Sequence, residues 1–368
     1  MIFRFITLVI LALTIGFGFG LPNAAAQDRG PIGDATAAPK KLPRAILAHA
    51  EFDGEHPVKL TYKNLTLTVT SEPDEDPEFR VPVVTGWFHG HEVFRIKIDP
   101  GRDEPRTYVY VMNLDSRASF PQVVLTYYWG GAHCCMTTKI ATIDGKKKWH
   151  VVDGDVLDGE GYRFLDLDRN GEVELVSVDN SFLYAYGCYA CSFAPTNIKK
   201  LAGLRLKDVT HEPKYRPFLR QELMEMEQDK DYDHASSGFL SGWVAQKALV
   251  GELDNAWRVM LRTWDRDAEW STAWQVTQDT PLDNADWWSA WQMTSRITGL
   301  NPERLPARCT IAVSIDKCPR DKLRPLSFPE VLAPHLLEAG YISADELRRL
   351  PMQVAAVPAD TSKGGAKP

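Results

Sequence analysis

The sequence has no G-x-S-x-G, no H-E-x-x-H, no Walker loop and no G-x-G-x-x-G. The residues therefore give no direct ground for an α/β-hydrolase, a zincin, a P-loop nucleotidase or a dinucleotide-binding enzyme. His91-Glu92 begins like a zincin helix, but Arg95 stands where the second histidine belongs. Positive charge is also short: 42 Lys and Arg face 49 Asp and Glu, a formal net charge of −7. An acidic chain of this kind is a poor partner for nucleic acid. Its one lysine run, Lys146 to Lys148, follows Asp144-Gly145 and reads as a solvated turn. Long apolar runs are confined to the amino terminus, so no integral membrane segment is expected after the first 26 residues.

That first stretch carries a single charge, Arg4, then an apolar run from Phe5 to Phe19, then Ala24-x-Ala26. Charge, short apolar run and A-x-A spacing predict a signal peptide over 1–26, cleaved before Gln27, and hence a periplasmic or secreted location. Without Arg4 the balance becomes 41 basic to 49 acidic residues, or −8. No lipobox cysteine is present at the cleavage site, which argues against a lipoprotein.

With 44% hydrophobic and 10% aromatic residues the remainder can bury a sizeable core. Residues 27–44 and 355–368 have linker or tail composition. Between them the periodicity changes once. Over 45–212 apolar residues alternate, as in Val58, Leu60, Tyr62 and Leu65, Leu67, Val69, with Lys63-Asn64 as the turn. Further strands are expected at 93–98, 108–112, 122–128, 137–143, 149–152, 174–178, 182–186 and 201–209. Over 213–354 the period is helical, and Leu253, Trp257, Met260, Leu261 and Trp264 share one helix face. Eight of the eleven tryptophans lie between Trp243 and Trp291, a stripe whose helical spacing reads as core packing before it reads as a glycan groove. A helical hairpin over 329–350 has Gly340 as its stop and Ser343 with Glu346 as a capping box. The fold class expected is α+β: a mainly antiparallel β-domain followed by a tryptophan-rich helical domain.

The segment richest in chemistry is Asp166-Leu167-Asp168-Arg169-Asn170-Gly171-Glu172-Val173-Glu174. Oxygen-bearing side chains at loop positions 1, 3, 5 and 9, with glycine at 6, suit a hard cation such as calcium, which takes six to eight oxygens. Glu172, at position 7, would offer its backbone carbonyl. Ser177 occupies position 12, where an EF-hand needs a bidentate glutamate, so a β-hairpin calcium loop is expected instead. The segment resembles the FG-GAP and VCBS repeats, the integrin-α-type calcium-binding blades, over about one repeat. That resemblance implies Asp166, Asp168, Asn170 and Glu174 as side-chain ligands of a structural Ca2+, although aspartate is the commoner residue where Glu174 stands. Asn113-Leu114-Asp115 ahead of residues 121–124 is a degenerate second copy, lacking the glycine and expected to hold no metal. About three blade-sized units are too few for a closed propeller, so a partial propeller or compact β-domain follows.

Six cysteines, an even number in an exported chain, favour disulfides. Cys309 and Cys318 most simply bridge each other. Cys134, Cys135, Cys188 and Cys191 follow the two repeat strands, and bonds from the adjacent pair to the C-x-x-C pair would clamp neighbouring hairpins together. A bond within Cys134-Cys135 would be more reducible and open to function. The alternative is a thiol-redox or zinc- or copper-handling site made by His133, Cys134, Cys135, Cys188 and Cys191. Asp153, Asp155, Asp158 and Glu160 could supply paired carboxylates for a cell-wall glycan hydrolase, against the simpler reading of acidic turns beside a calcium loop. The residues thus favour a non-catalytic calcium-binding module of the bacterial cell envelope, whose partner would be an envelope protein or a glycan.

Overall fold

The structure, a computed structural model, describes residues 43–73, 80–98, 107–128, 133–230, 233–266 and 327–351. The expected signal peptide, most of the expected 27–44 linker, the 355–368 segment, Cys309, Cys318 and the tryptophans from Trp270 to Trp291 lie outside the described residues.

Among the described residues, thirteen strands form three antiparallel sheets, and helices follow them, so the class is α+β as expected. The first sheet has the order β2 (Val58–Tyr62), β3 (Leu65–Pro73), β4 (Arg80–Phe88), β5 (His91–Lys97). The second runs β1 (Ile46–Phe52), β6 (Thr107–Met112), β7 (Gln122–Tyr128), β8 (Cys134–Ile143), β9 (Trp149–Asp158). The third is β10 (Arg163–Leu165), β11 (Glu174–Val178), β12 (Thr196–Ala202), β13 (Arg205–Asp208). Apart from β1, each sheet is a meander of four consecutive strands, and none closes into a barrel. The helices are α1 (Arg216–Gln228), α2 (Ser237–Leu249), α3 (Leu253–Thr263), α4 (Phe328–Glu338) and α5 (Ala344–Arg349).

The layers stack because the strands of the middle sheets are apolar on both faces. Along β7, Val123, Leu125 and Tyr127 pack with Leu67, Val84 and Phe94 of the first sheet. Val124, between them, points the other way and joins Leu175 and Leu201 of the third sheet. The third sheet repeats the arrangement: Leu175 faces the second sheet, while Val176 and Ile198 face the helices. Strand side chains alternate in this way by geometry alone. The change from strand to helix falls at the expected boundary near 212, but the core crosses it, running from Val176 to Leu350. On α3, Leu253, Trp257, Met260 and Leu261 are buried as their spacing predicts, and Trp257 donates its indole N–H to Pro351 O at 2.7 Å.

Four local expectations are corrected. Residues 182–186 are not a strand: a 3-10 turn over Asn180–Phe182 is followed by Tyr184 in the left-handed region, φ 60°. The single strand expected over 201–209 is a hairpin of β12 and β13, broken at Gly203, φ 65°. Strands β1 and β4 were not expected; β4 is an almost continuous apolar run with both faces covered, which carries no period-two signal. Asp153, Asp155 and Asp158 lie on strand β9 and not in acidic turns.

Candidate metal loop and a histidine cluster

The Asp166 loop joins β10 to β11, whose register sets Leu165 opposite Glu174. It is therefore a β-hairpin loop. Arg169 (φ 58°) and Gly171 (φ 83°) turn the chain through the left-handed region, which glycine enters without strain. The curl brings carboxylate oxygens of Asp166, Asp168 and Glu174 within 4.8 Å of one another. Two side chains of the loop have partners of their own, and of these Asn170 Oδ1 accepts from the Glu172 backbone N–H at 2.7 Å. The Glu172 carboxylate accepts from Ser116 N–H at 2.8 Å and from Lys200 Nζ at 3.0 Å.

Three residues that sequence spacing does not reveal complete the surroundings. Lys200, on β12, reaches Glu172 and, at 3.2 Å, Glu174. Lys214 reaches Asp168 at 3.0 Å, and the Tyr215 hydroxyl donates to Glu174 Oε1 at 3.0 Å. Glu174, fully buried, is thus matched by Tyr215, Lys200 and the Leu167 backbone N–H at 2.8 Å. Burial opposes the charge on Lys200, but hydrogen bonds to Glu172 and Glu174 outweigh it and raise its pKa. Burial likewise pushes Glu172 up, and Ser116 and Lys200 more than offset that, holding it below its ordinary range. Asp166 differs: its Oδ2 accepts from Gly171 N–H at 3.2 Å, while its Oδ1 is buried with no hydrogen-bond donor. A charged oxygen left so is unfavourable by more than the roughly 1–3 kcal/mol of a neutral group. Five carboxylates, counting Glu212 beside Lys214, and two ammonium groups meet here, leaving a formal charge of −3. The donor set, the orphan oxygen and the residual charge all fit a divalent hard cation.

In the Asp115 loop the charge is met internally. Asp115, 5% exposed, takes the Arg117 guanidinium at 2.7 Å and the Gly203 backbone N–H at 2.8 Å. The Arg117 hydrogen bond is the main cause holding the Asp115 carboxyl down to about 2. The two loops are joined directly, since Val173 N–H donates to Asn113 O at 2.7 Å.

A second polar cluster forms where β8, β9 and the loop after β11 meet. His133 Nδ1 lies 2.7 Å from Asp158 Oδ1, and its Nε2 lies 2.6 Å from the Tyr184 hydroxyl. Its ring stacks on Tyr189 with centroids 4.0 Å apart. The cysteines nearby pair as Cys134–Cys135 and Cys188–Cys191. This corrects the expected clamp between hairpins: each bond is local, because each pair is brought together by its own turn or strand. It also takes the four sulfurs out of the pool of thiolates that a soft-metal site with His133 would need. The acidic residues of β9 are dispersed among separate partners: Asp153 pairs with Lys139 at 2.6 Å, Asp155 with Lys199 at 2.5 Å and with Tyr162, and Asp158 with His133.

Among the comparisons with known proteins, the family model falls on the helical part. The family described as the sll0997 C-terminal domain matches residues 219–286, from within α1 through α3 and beyond. Over 243 residues the chain is 35% identical to uncharacterized protein y4bJ of Sinorhizobium fredii, covering 65% of this chain and 33% of that protein. Over 245 residues it is 31% identical to probable thylakoid lumen protein sll0997 of Synechocystis, covering 65% of this chain and 62% of that protein. The chain thus spans about a third and about three fifths of these relatives. No solved structure matches. Among the described residues no helix is long and apolar enough to cross a membrane.

Proposed function

We propose that this protein is an exported module of the bacterial cell envelope whose β-layers are fixed by a calcium ion in the Asp166 loop and which presents a binding surface to an envelope protein or glycan. The observation that carries this reading is the buried Asp166 Oδ1, which has no donor, in a carboxylate grouped with those of Asp168 and Glu174. Asp166, Asp168 and Glu174 would hold the ion, with loop carbonyls, Glu172 O among them, and Asn170 completing the oxygens after a side-chain rotation. The ion is a structural part: extracellular calcium modules bind at about 10⁻⁴ to 10⁻³ M, and an excess adds roughly 1–3 kcal/mol. The resemblance to FG-GAP-type repeats supports the same assignment. Export is supported by the amino-terminal pattern and by the lumen location in the name of the Synechocystis relative.

Elemental analysis of the purified mature protein tests it. About one calcium per chain, removed by chelator and restored on addition, is the expected result. Zinc or copper in its place, or no metal under millimolar calcium, would contradict it.

A further inference from the structure

We propose that the Cys188–Cys191 disulfide is a thiol–disulfide exchange site for a dithiol substrate, with Tyr184, His133 and Asp158 as its proton relay. This site is separate from the calcium loop and does not depend on it.

Access distinguishes this bond from its neighbour. Cys188 and Cys191 are both exposed, whereas Cys135 is only 9% exposed and Cys134 half-buried. Exchange needs a sulfur that an incoming thiolate can reach in line. The C-x-x-C turn is also mounted rigidly. The Cys191 carbonyl oxygen lies so close to α2 that a Cβ on Gly238 would come within 2.1 Å of it, and Phe193 N–H donates to Gly238 O at 3.0 Å.

The relay begins inside the same turn. Tyr189, which follows Cys188, carries the His133 ring stacked upon it. Ser192, which follows Cys191, donates its hydroxyl to Cys188 O at 2.9 Å and accepts the Tyr184 backbone N–H at 3.0 Å. Tyr184 is thereby held at φ 60°, a conformation costly for a side chain of its size, with 49% of its surface exposed. The strain is maintained where it aims the Tyr184 hydroxyl at His133 Nε2. Asp158 accepts from Nδ1, and the Gly159 backbone N–H orients that carboxylate at 3.0 Å. Burial first, then Asp158, raises the Tyr184 phenol, so it keeps its proton and donates to Nε2. The arrangement is a base with an orienting carboxylate and the hydroxyl of a half-exposed tyrosine, the parts that general base catalysis uses.

In the exchange, the substrate S–H passes its proton to the Tyr184 oxygen as Tyr184 passes its own to His133 Nε2. The substrate thiolate forms a bond to one sulfur of the pair and the Cys188–Cys191 bond breaks. The displaced thiolate takes the proton back along the same path. The second substrate thiol then attacks the mixed disulfide, leaving an oxidised substrate and two cysteine thiols. Two electrons and two protons move from substrate to protein, and no other reactant is needed.

The test uses the oxidised mature protein with dithiothreitol as the probe dithiol under native conditions, followed by alkylation and peptide mapping. Cys188 and Cys191 should be labelled first. His133→Gln and Tyr184→Phe should each slow their reduction about tenfold or more at neutral pH without changing the melting temperature. Unchanged rates in both folded variants, or labelling of Cys134 and Cys135 first, would overturn the proposal. Should a variant fail to fold, the wild-type rate decides from about pH 5 to about pH 9. The groups facing His133 are Asp158, Tyr184 and Tyr189, with Tyr128 and Glu160 beyond them. A rate that departs from the thiolate fraction of dithiothreitol supports the relay, and one that follows it throughout contradicts it.

Discussion

Tyr215 donates its hydroxyl to the buried carboxylate of Glu174 at 3.0 Å, tying the residue that leads into α1 to the last position of the Asp166 loop. The contact makes the helical part a wall of the loop. Tyr215 is itself 1% exposed, so its ring also belongs to the helical core. Replacing it by phenylalanine keeps the ring and leaves Glu174 short of a donor. A loss of about 1–2 kcal/mol in urea denaturation is expected. A Tyr215→Phe variant as stable as the wild type would show that Lys200 and Leu167 satisfy Glu174 without it.

His335 supplies a pH-dependent term. It is 6% exposed on α4, with Nδ1 2.8 Å from the Tyr186 hydroxyl and Nε2 3.1 Å from Ser181 Oγ, between the rings of Phe182 and Tyr186. Burial lowers its pKa to about 4, against a weaker opposite pull from Asp179. The unfolded chain, with an ordinary value near ~6.5, binds the proton more readily. Stability from this group is therefore present above about pH 6.5 and falls on acidification towards pH 4, by up to about 3 kcal/mol. Denaturant midpoints measured across that window should decline less steeply in His335→Gln than in the wild type. Equal slopes would remove His335 from the account.

Helix α2 approaches the chain after the C-x-x-C turn through two glycines one turn apart. A Cβ on Gly242 would lie 2.1 Å from Phe193 O, a backbone atom that cannot swing aside. Gly242→Ala should cost more than the roughly 1–3 kcal/mol usual for an overpacked core, or shift α2 outward. Thermal melting of this variant, beside Gly145→Ala at a site with open space and no left-handed backbone, separates a steric cause from a general intolerance of substitution.

How far these features could be read in advance varies with the local physics. Strands β7 and β11 match their predicted ranges to the residue, because turn residues bound compact apolar runs at 122–128 and 174–178. Residues 182–186 misled because Phe182, Tyr184 and Tyr186 mimic strand alternation. In the structure Phe182 and Tyr186 bury in the helical core while Tyr184 turns outward in a left-handed conformation. At the loop, the motif named Asp166, Asp168 and Glu174, which are adjacent in the chain. It could not name Lys200, Lys214 or Tyr215, since only the packing of β12 and the approach to α1 bring them near. The partners of His133 were hidden for the same reason: Tyr184 is 51 residues away and Asp158 is 25.

The most direct measurement on the central claim is the melting curve of the mature protein with about 5 mM calcium and with chelator, for the wild type and Asp166→Asn. The substitution keeps the shape of the side chain while removing the charge that leaves Oδ1 unmatched. Calcium should raise the wild-type melting temperature by about 2–6 °C and leave Asp166→Asn nearly unmoved, the variant melting above the wild type in chelator. A wild-type curve indifferent to calcium, or a variant that responds as fully as the wild type, would contradict a calcium ion held by the Asp166 loop.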